Sequence, residues 1–151
     1  CDELKVLISG DQVLPRITTN VGVWGNMPDA NPLELFLRSL DFFEPLPADT
    51  LVLPSHDRVF RGLHFRLQTL RDHHAARLDE LIQALDQPKT ASELLPVLFK
   101  RALDDHQLMF AIGETVAHLN YLLQKKRVSR TINADGKYYF AASTRSANSN
   151  T

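Results

Sequence analysis

Cysteine is almost missing from this chain. Cys1 is the single one among 151 residues, which excludes an internal disulfide framework and a Cys-rich zinc site. Long apolar runs are missing as well. No stretch approaches the ~18 to 20 apolar residues of a membrane-crossing helix, and no basic segment leading into an apolar run opens the chain. An excess of one charge is absent too, since 17 Lys and Arg face 18 Asp and Glu. DNA-binding domains are usually far more basic than that. What remains is globular in composition, 44% hydrophobic and 23% charged. The length suits one ordinary domain or two small ones. With a single cysteine, the simplest location is a reducing compartment such as the cytoplasm.

The charge is unevenly placed. Residues 1–86 hold eight Lys and Arg against thirteen Asp and Glu, whereas residues 87–141 hold eight against five. Gln87-Pro88-Lys89 lies at the change of sign and reads as a linker. The pattern therefore predicts two units, 1–86 and 87–142, and a polar, disordered tail over 143–151.

Lys5-Val6-Leu7-Ile8-Ser9 reads as a buried strand that begins almost at the terminus without an initiator Met, as in a fragment or a processed product. Gly10-Asp11 ends it, so Asp11 projects from a strand end, where functional groups often sit. A turn-capping Asp is the plainer alternative. Residues 14–31 form a long loop carrying Trp24 and Met27, and loops of that length usually have a function. Asn31, Pro32 and Glu34 have a capping-box pattern opening a helix with Leu33, Phe36, Leu37, Leu40 and Phe43 on its buried stripe. Leu51-Val52-Leu53 is a second short strand, closed by Pro54-Ser55-His56. His56 thus repeats the placement of Asp11, and a helix between the two strands lets them be neighbours. A lone surface histidine is the plainer reading of His56.

From Gly62 to about Asp86 the spacing predicts one long helix, with Leu67, Leu70, His74, Leu78 and Leu81 on its apolar stripe. His73 and His74 are ~100° apart on a helix, so they do not share a metal easily. His64, near the helix start, reads as a polar surface residue. Thr90 to Glu93 is another capping box, and Pro96 kinks or ends the short helix it opens. A longer helix follows from Leu103 to about Arg127, with Leu108, Ile112, Val116, Leu119, Leu122 and Leu123 as its stripe. Val128–Ile132 and Lys137–Ala141 read as strands joined at Asp135-Gly136. Helix, helix and hairpin in this order form a winged-helix pattern.

Together these segments resemble the metallo-β-lactamase-fold hydrolases. Leu7-Ile8-Ser9-Gly10-Asp11 looks like that family's strand and GD motif, and Pro54-Ser55-His56 like its P-G-H motif, with Ser55 where Gly is usual. The order of strand-GD, helix, strand-PSH, long helix and winged helix resembles the group with a C-terminal winged helix, which includes β-lactamase-like protein 2 relatives. The resemblance implies an α+β fold: the C-terminal half of an αββα sandwich followed by a winged-helix-like domain. It implies a metal-dependent hydrolase in which Asp11 bridges two metal ions and His56 completes the second ion's shell. The ions are expected to be zinc, with iron or manganese as alternatives. Such ions activate water toward an ester, thioester or phosphodiester. The family's H-x-H-x-D-H motif is absent, and none of the six histidines has that spacing. The implied partners are therefore a small-molecule substrate and a missing N-terminal half that supplies the other ligands. Nucleic acid, held by Lys125, Lys126, Arg127, Arg130 and Lys137, stands as a second reading. A dimer contact through the aromatic hairpin stands as a third.

Overall fold

A computed structural model describes residues 1–143; most of the expected tail lies outside the described residues. The chain order is β1 (Val6–Gly10), α1 (Pro32–Ser39), a 3-10 turn (Leu40–Phe43), β2 (Leu51–Pro54), α2 (Leu63–Ala84), α3 (Ala91–Leu98), α4 (Asp105–Gln124), β3 (Val128–Ile132) and β4 (Tyr138–Ala142). No described helix is long and apolar enough to cross a membrane.

β1 and β2 pair in parallel, with Val6 opposite Leu51 and Ile8 opposite Leu53. The pair lies close to where the sequence places it, but β1 is not buried on both faces. Ile8 is 80% exposed while Val52 is fully buried. Parallel strands are normally covered on both faces, so one side of this two-stranded sheet stands open. Phe42 and Phe65 are also exposed.

Local chemistry explains the helix boundaries. The Asn31 side chain accepts from the Glu34 amide at 3.2 Å, and Pro32 presets the first turn. Only half of the expected box forms, because the Glu34 carboxylate instead pairs with Lys125 Nζ at 2.9 Å. At Thr90 both halves of the box close. Pro96 does not end α3, which runs two residues further to Leu98. Asp104 caps α4 by accepting from the Gln107 amide at 2.8 Å.

The stripe of α2 is as expected, with Leu67, Leu70, His74, Leu78 and Leu81 all buried. α4 differs. Its buried residues are Ala111, Gly113, Thr115, Ala117, His118, Leu119, Asn120 and Leu122, and Leu108 is exposed. The helix is enclosed on several sides, so a one-sided apolar stripe does not describe it.

β3 and β4 form an antiparallel hairpin whose turn uses Gly136 at φ 76°. Lys89 exchanges two backbone hydrogen bonds with Phe140, at 2.9 and 2.8 Å, so the segment read as a linker lies along the outer edge of β4. Packing is continuous across residue 86. One cluster of buried residues includes Val13, Leu33, Val52, Leu70, Leu94, Leu119, Val128 and Phe140.

Candidate metal centre

Asp11 follows β1 directly, and His56 lies two residues beyond β2. Because the strands are adjacent and parallel, both side chains reach the same sheet edge. Gly10 turns the chain there with φ 54°, and its carbonyl accepts from the Ser55 amide at 3.0 Å. His56 Nε2 is 3.4 Å from Asp11 Oδ1, and both side chains are open to solvent. Ser55 Oγ donates to the same Asp11 oxygen, and Thr19 Oγ1 donates to the Asp11 carbonyl.

The pair fits a shared metal ion. Two donor atoms each ~2.1 Å from one tetrahedral ion lie ~3.4 Å apart, the separation found here. A carboxylate with an imidazole is also a donor set that suits zinc. Two donors do not complete a site, and no group of three His, Cys, Asp or Glu able to hold a metal occurs among the described residues. His64 is turned away, with Nε2 3.1 Å from the Glu44 carbonyl. His74 is 1% exposed and lies in the core. Its Nδ1 lies 3.1 Å from His118 Nε2.

Two contributors are not marked in the sequence. Ser55 stands there only as a departure from Gly, yet its hydroxyl helps fix the carboxylate. Thr19 lies eight residues from Asp11 in a loop with no motif, so no local signal points to it.

The loop over 14–31 is anchored along its length. Arg66 on α2 donates to the carbonyls of Leu14 at 2.6 Å and Ile17 at 2.7 Å. Val23 donates its amide to Gly113 O on α4 at 3.0 Å. Asn120 Nδ2 donates to Pro28 O and Ala30 O at 2.8 and 2.9 Å. Arg130 pairs with Asp29 at 2.8 Å.

These contacts occupy cations that could otherwise face phosphates. Lys125 pairs with Glu34, Arg127 lies 3.5 Å from Asp79, and Lys137 lies 3.3 Å from Asp135.

Comparison with known proteins bears on the fold. Residues 78–143 match the family model described as metallo-beta-lactamase-like, C-terminal domain. The match begins inside α2, nine residues before Gln87. A similar chain trace occurs in two solved structures. A beta-lactamase domain protein from Burkholderia ambifaria is 48% identical with a TM-score of 0.89, over 91% of this chain and 41% of that one. A metallo-beta-lactamase family protein from Thermus thermophilus is 37% identical with a TM-score of 0.80, over 94% of this chain and 43% of that one. The mixed α/β fold is therefore that of the corresponding part of metallo-beta-lactamase family proteins, and the chain spans less than half the length of either. No curated protein matches it.

Proposed function

We propose that this chain is part of a metal-dependent hydrolase of the metallo-beta-lactamase family, with Asp11 and His56 among its metal ligands. The observation that carries the reading is the 3.4 Å approach of His56 Nε2 to Asp11 Oδ1 at one sheet edge. The structural match to metallo-beta-lactamase proteins supports it. The open face of β1 and β2 also supports it, since an αββα sandwich would cover Ile8 there. The remaining ligands would come from residues outside this chain, and zinc is the metal the donor set favours. A bound zinc would supply Lewis acidity toward a carbonyl or phosphoryl oxygen and lower the pKa of water toward ~7.

The chain's own residues have definite tasks in this reading. Asp11 offers a carboxylate able to serve two ions at once. Ser55 and Thr19 hold that carboxylate and its backbone in place, and His56 supplies a neutral nitrogen donor. The substrate is a small ester, thioester or phosphodiester, and the location is the cytoplasm. Residues 87–142 act as a winged-helix-like unit. The order of the Lys89 edge, α3, α4 and the β3–β4 hairpin supports this. Nucleic-acid binding gains little here, because four of its five candidate cations, Lys125, Arg127, Arg130 and Lys137, each face an acidic residue.

The test compares wild type with Asp11→Ala in the protein that carries this chain. Bound metal is measured by mass spectrometry, and turnover with p-nitrophenyl acetate and bis-p-nitrophenyl phosphate. Asp11 is exposed, so its removal should leave the fold intact while metal content and turnover drop together. Full metal content and full turnover in Asp11→Ala would end the hydrolase assignment.

A further inference from the structure

The edge that carries Asp11 and His56 also gathers two arginines with no part in holding a metal. Asp57 follows His56 directly and takes φ 67°, a left-handed turn that aspartate tolerates better than most residues. Two guanidinium groups approach its carboxylate. Arg16 Nε lies 3.2 Å from Oδ2, and Arg58 Nε lies 3.6 Å from Oδ1. Arg16 comes from the 14–31 loop, and its backbone is fixed there. Arg66 donates to the carbonyls of Leu14 and Ile17, one on each side of it. The same loop returns to Asp11 through the Thr19 hydroxyl.

The two cations are left largely open. Their side chains are 65% and 73% exposed, and the described residues supply no hydrogen bond to either guanidinium beyond these ion pairs. Ion pairs so exposed contribute little to stability, so the fold gains little by bringing both arginines to one carboxylate. Two guanidinium groups against Asp57 leave one excess positive charge beside His56, and a monoanion would balance it. A carboxylate carries that single charge. Its two oxygens also match the fork of a guanidinium, which can bind it through two parallel hydrogen bonds.

We infer that Arg16 and Arg58 hold a carboxylate group carried by the substrate, away from the bond that is cleaved. The inference rests on the hydrolase reading and narrows its substrate to a carboxylate-bearing ester or thioester. Contacts to this remote group orient the substrate against the Asp11–His56 edge.

The probes are 4-acetoxybenzoate and 4-acetoxybenzamide, close in shape and differing by one negative charge, tested on the protein that carries this chain. In wild type, kcat/KM should favour the benzoate about tenfold or more at low salt. Raising the salt to about 0.5 M should shrink that preference. Arg16→Gln and Arg58→Gln should each remove most of it by raising KM for the benzoate, at the same metal content. Arg58→Lys keeps the charge but loses the fork, and should restore only part of the preference. A second measurement needs no turnover. Binding of 4-hydroxybenzoate and 4-hydroxybenzamide is followed by ligand-observed NMR. The benzoate should saturate one site about tenfold more tightly, and the Arg16→Gln/Arg58→Gln variant should lose the difference. Equal binding of the two ligands in wild type would overturn the inference, as when an acidic residue elsewhere in the protein already fills both forks. A preference that survives in the double variant would overturn it too, because the carboxylate would then sit on the metal. If neither ester is hydrolysed while the binding preference holds and depends on both arginines, the hydrolase reading fails and the carboxylate site stands without it.

Discussion

Acidification below about pH 6.5 should destabilise this fold through two histidines in the core. His74 on α2 is 1% exposed and His118 on α4 is fully buried. Their protonation states follow from their partners. His118 Nδ1 lies 2.8 Å from the Glu114 carbonyl and must donate to it. Its Nε2 then carries a lone pair and accepts from His74 Nδ1 at 3.1 Å. His74 Nε2 is left as a buried lone pair with no partner among the described residues. A second proton on either ring would place a charge in the core. Burial, reinforced for His74 by His118, pushes His74 down from 6.5 to about 3. Burial also pushes His118 down from 6.5 to about 4, despite its bond to Glu114. His73 and Arg77 act on both rings in the same direction. The unfolded chain takes up these protons near pH 6.5 while the native state refuses them. Stability is therefore full above pH 6.5 and falls as the pH drops toward about 4. At pH 5, 1.5 units below the unfolded value, each ring accounts for a loss of about 2 kcal/mol, or ~4 kcal/mol for the pair. That is a large share of the ~5 to 15 kcal/mol typical of a domain. Glu114 opposes part of it, since burial raises its carboxyl value and proton uptake there favours the native state. Urea unfolding at pH 7.5, 6 and 5 measures the effect, with the His74→Leu/His118→Leu variant as control. Wild-type stability that stays flat from pH 7.5 to 5, or a double variant that keeps the full slope, would refute the argument.

Three further outcomes are expected. Gly113→Leu should lower the thermal midpoint, by about 1 to 3 kcal/mol of overpacking, because even a Cβ there would lie 3.0 Å from Val23 O and 3.6 Å from Val23 N, both backbone atoms; a midpoint at or above the wild-type value would refute close packing of the loop on α4. Thr90→Ala should cost about 1 kcal/mol in urea unfolding by removing the α3 cap, and Thr90→Ser should restore most of it. Arg130→Ala should cost less than about 1 kcal/mol, as for an ion pair open to solvent on one side, yet increase protease cleavage within residues 21–29, where it holds Asp29.

The sequence was readable where one local pattern controls the outcome. Strand ends at Gly10 and Pro54 and the caps at Asn31 and Thr90 are set by neighbouring residues, so their positions came within a residue or two. The approach of Asp11 to His56 was legible for a related reason, since two short strands joined through a helix become neighbours and carry their trailing residues to one edge. Periodicity failed at α4 because the helix is packed from several directions, by α2, α3, the 14–31 loop and the hairpin. Leu119 and Leu122 of the expected stripe are buried, but so are small or polar residues outside it, among them Gly113 and Asn120, whose contacts with the 14–31 loop are distant in sequence. His118 shows the same limit. Nothing near it marks it as a core residue, because its partner is His74, 44 positions away. Ile8 misled in the opposite direction, since a strand rich in apolar residues is buried only if something covers both of its faces.

The contacts of the 14–31 loop tie it to the C-terminal helix and hairpin. The loop leaves Asp11 directly and returns a hydrogen bond to it from Thr19. Further along, Val23 is held by Gly113, Pro28 and Ala30 by Asn120, and Asp29 by Arg130. The three anchoring residues belong to α4 and β3, within the segment that matches the C-terminal domain model. Moving α4 would therefore pull on the loop at three points before disturbing the β1–β2 pair, which is joined by its own backbone bonds. A helical unit attached in this way is tied to the loop that leads back to Thr19, and it supplies no ligand among the described residues. The same attachment accounts for the ion pairs of Lys125 and Arg130, whose acidic partners lie on α1 and the loop. Cations spent on holding the two parts of the chain together are poorly placed to grip a nucleic-acid backbone, and that favours a structural role for this unit over a substrate-binding one.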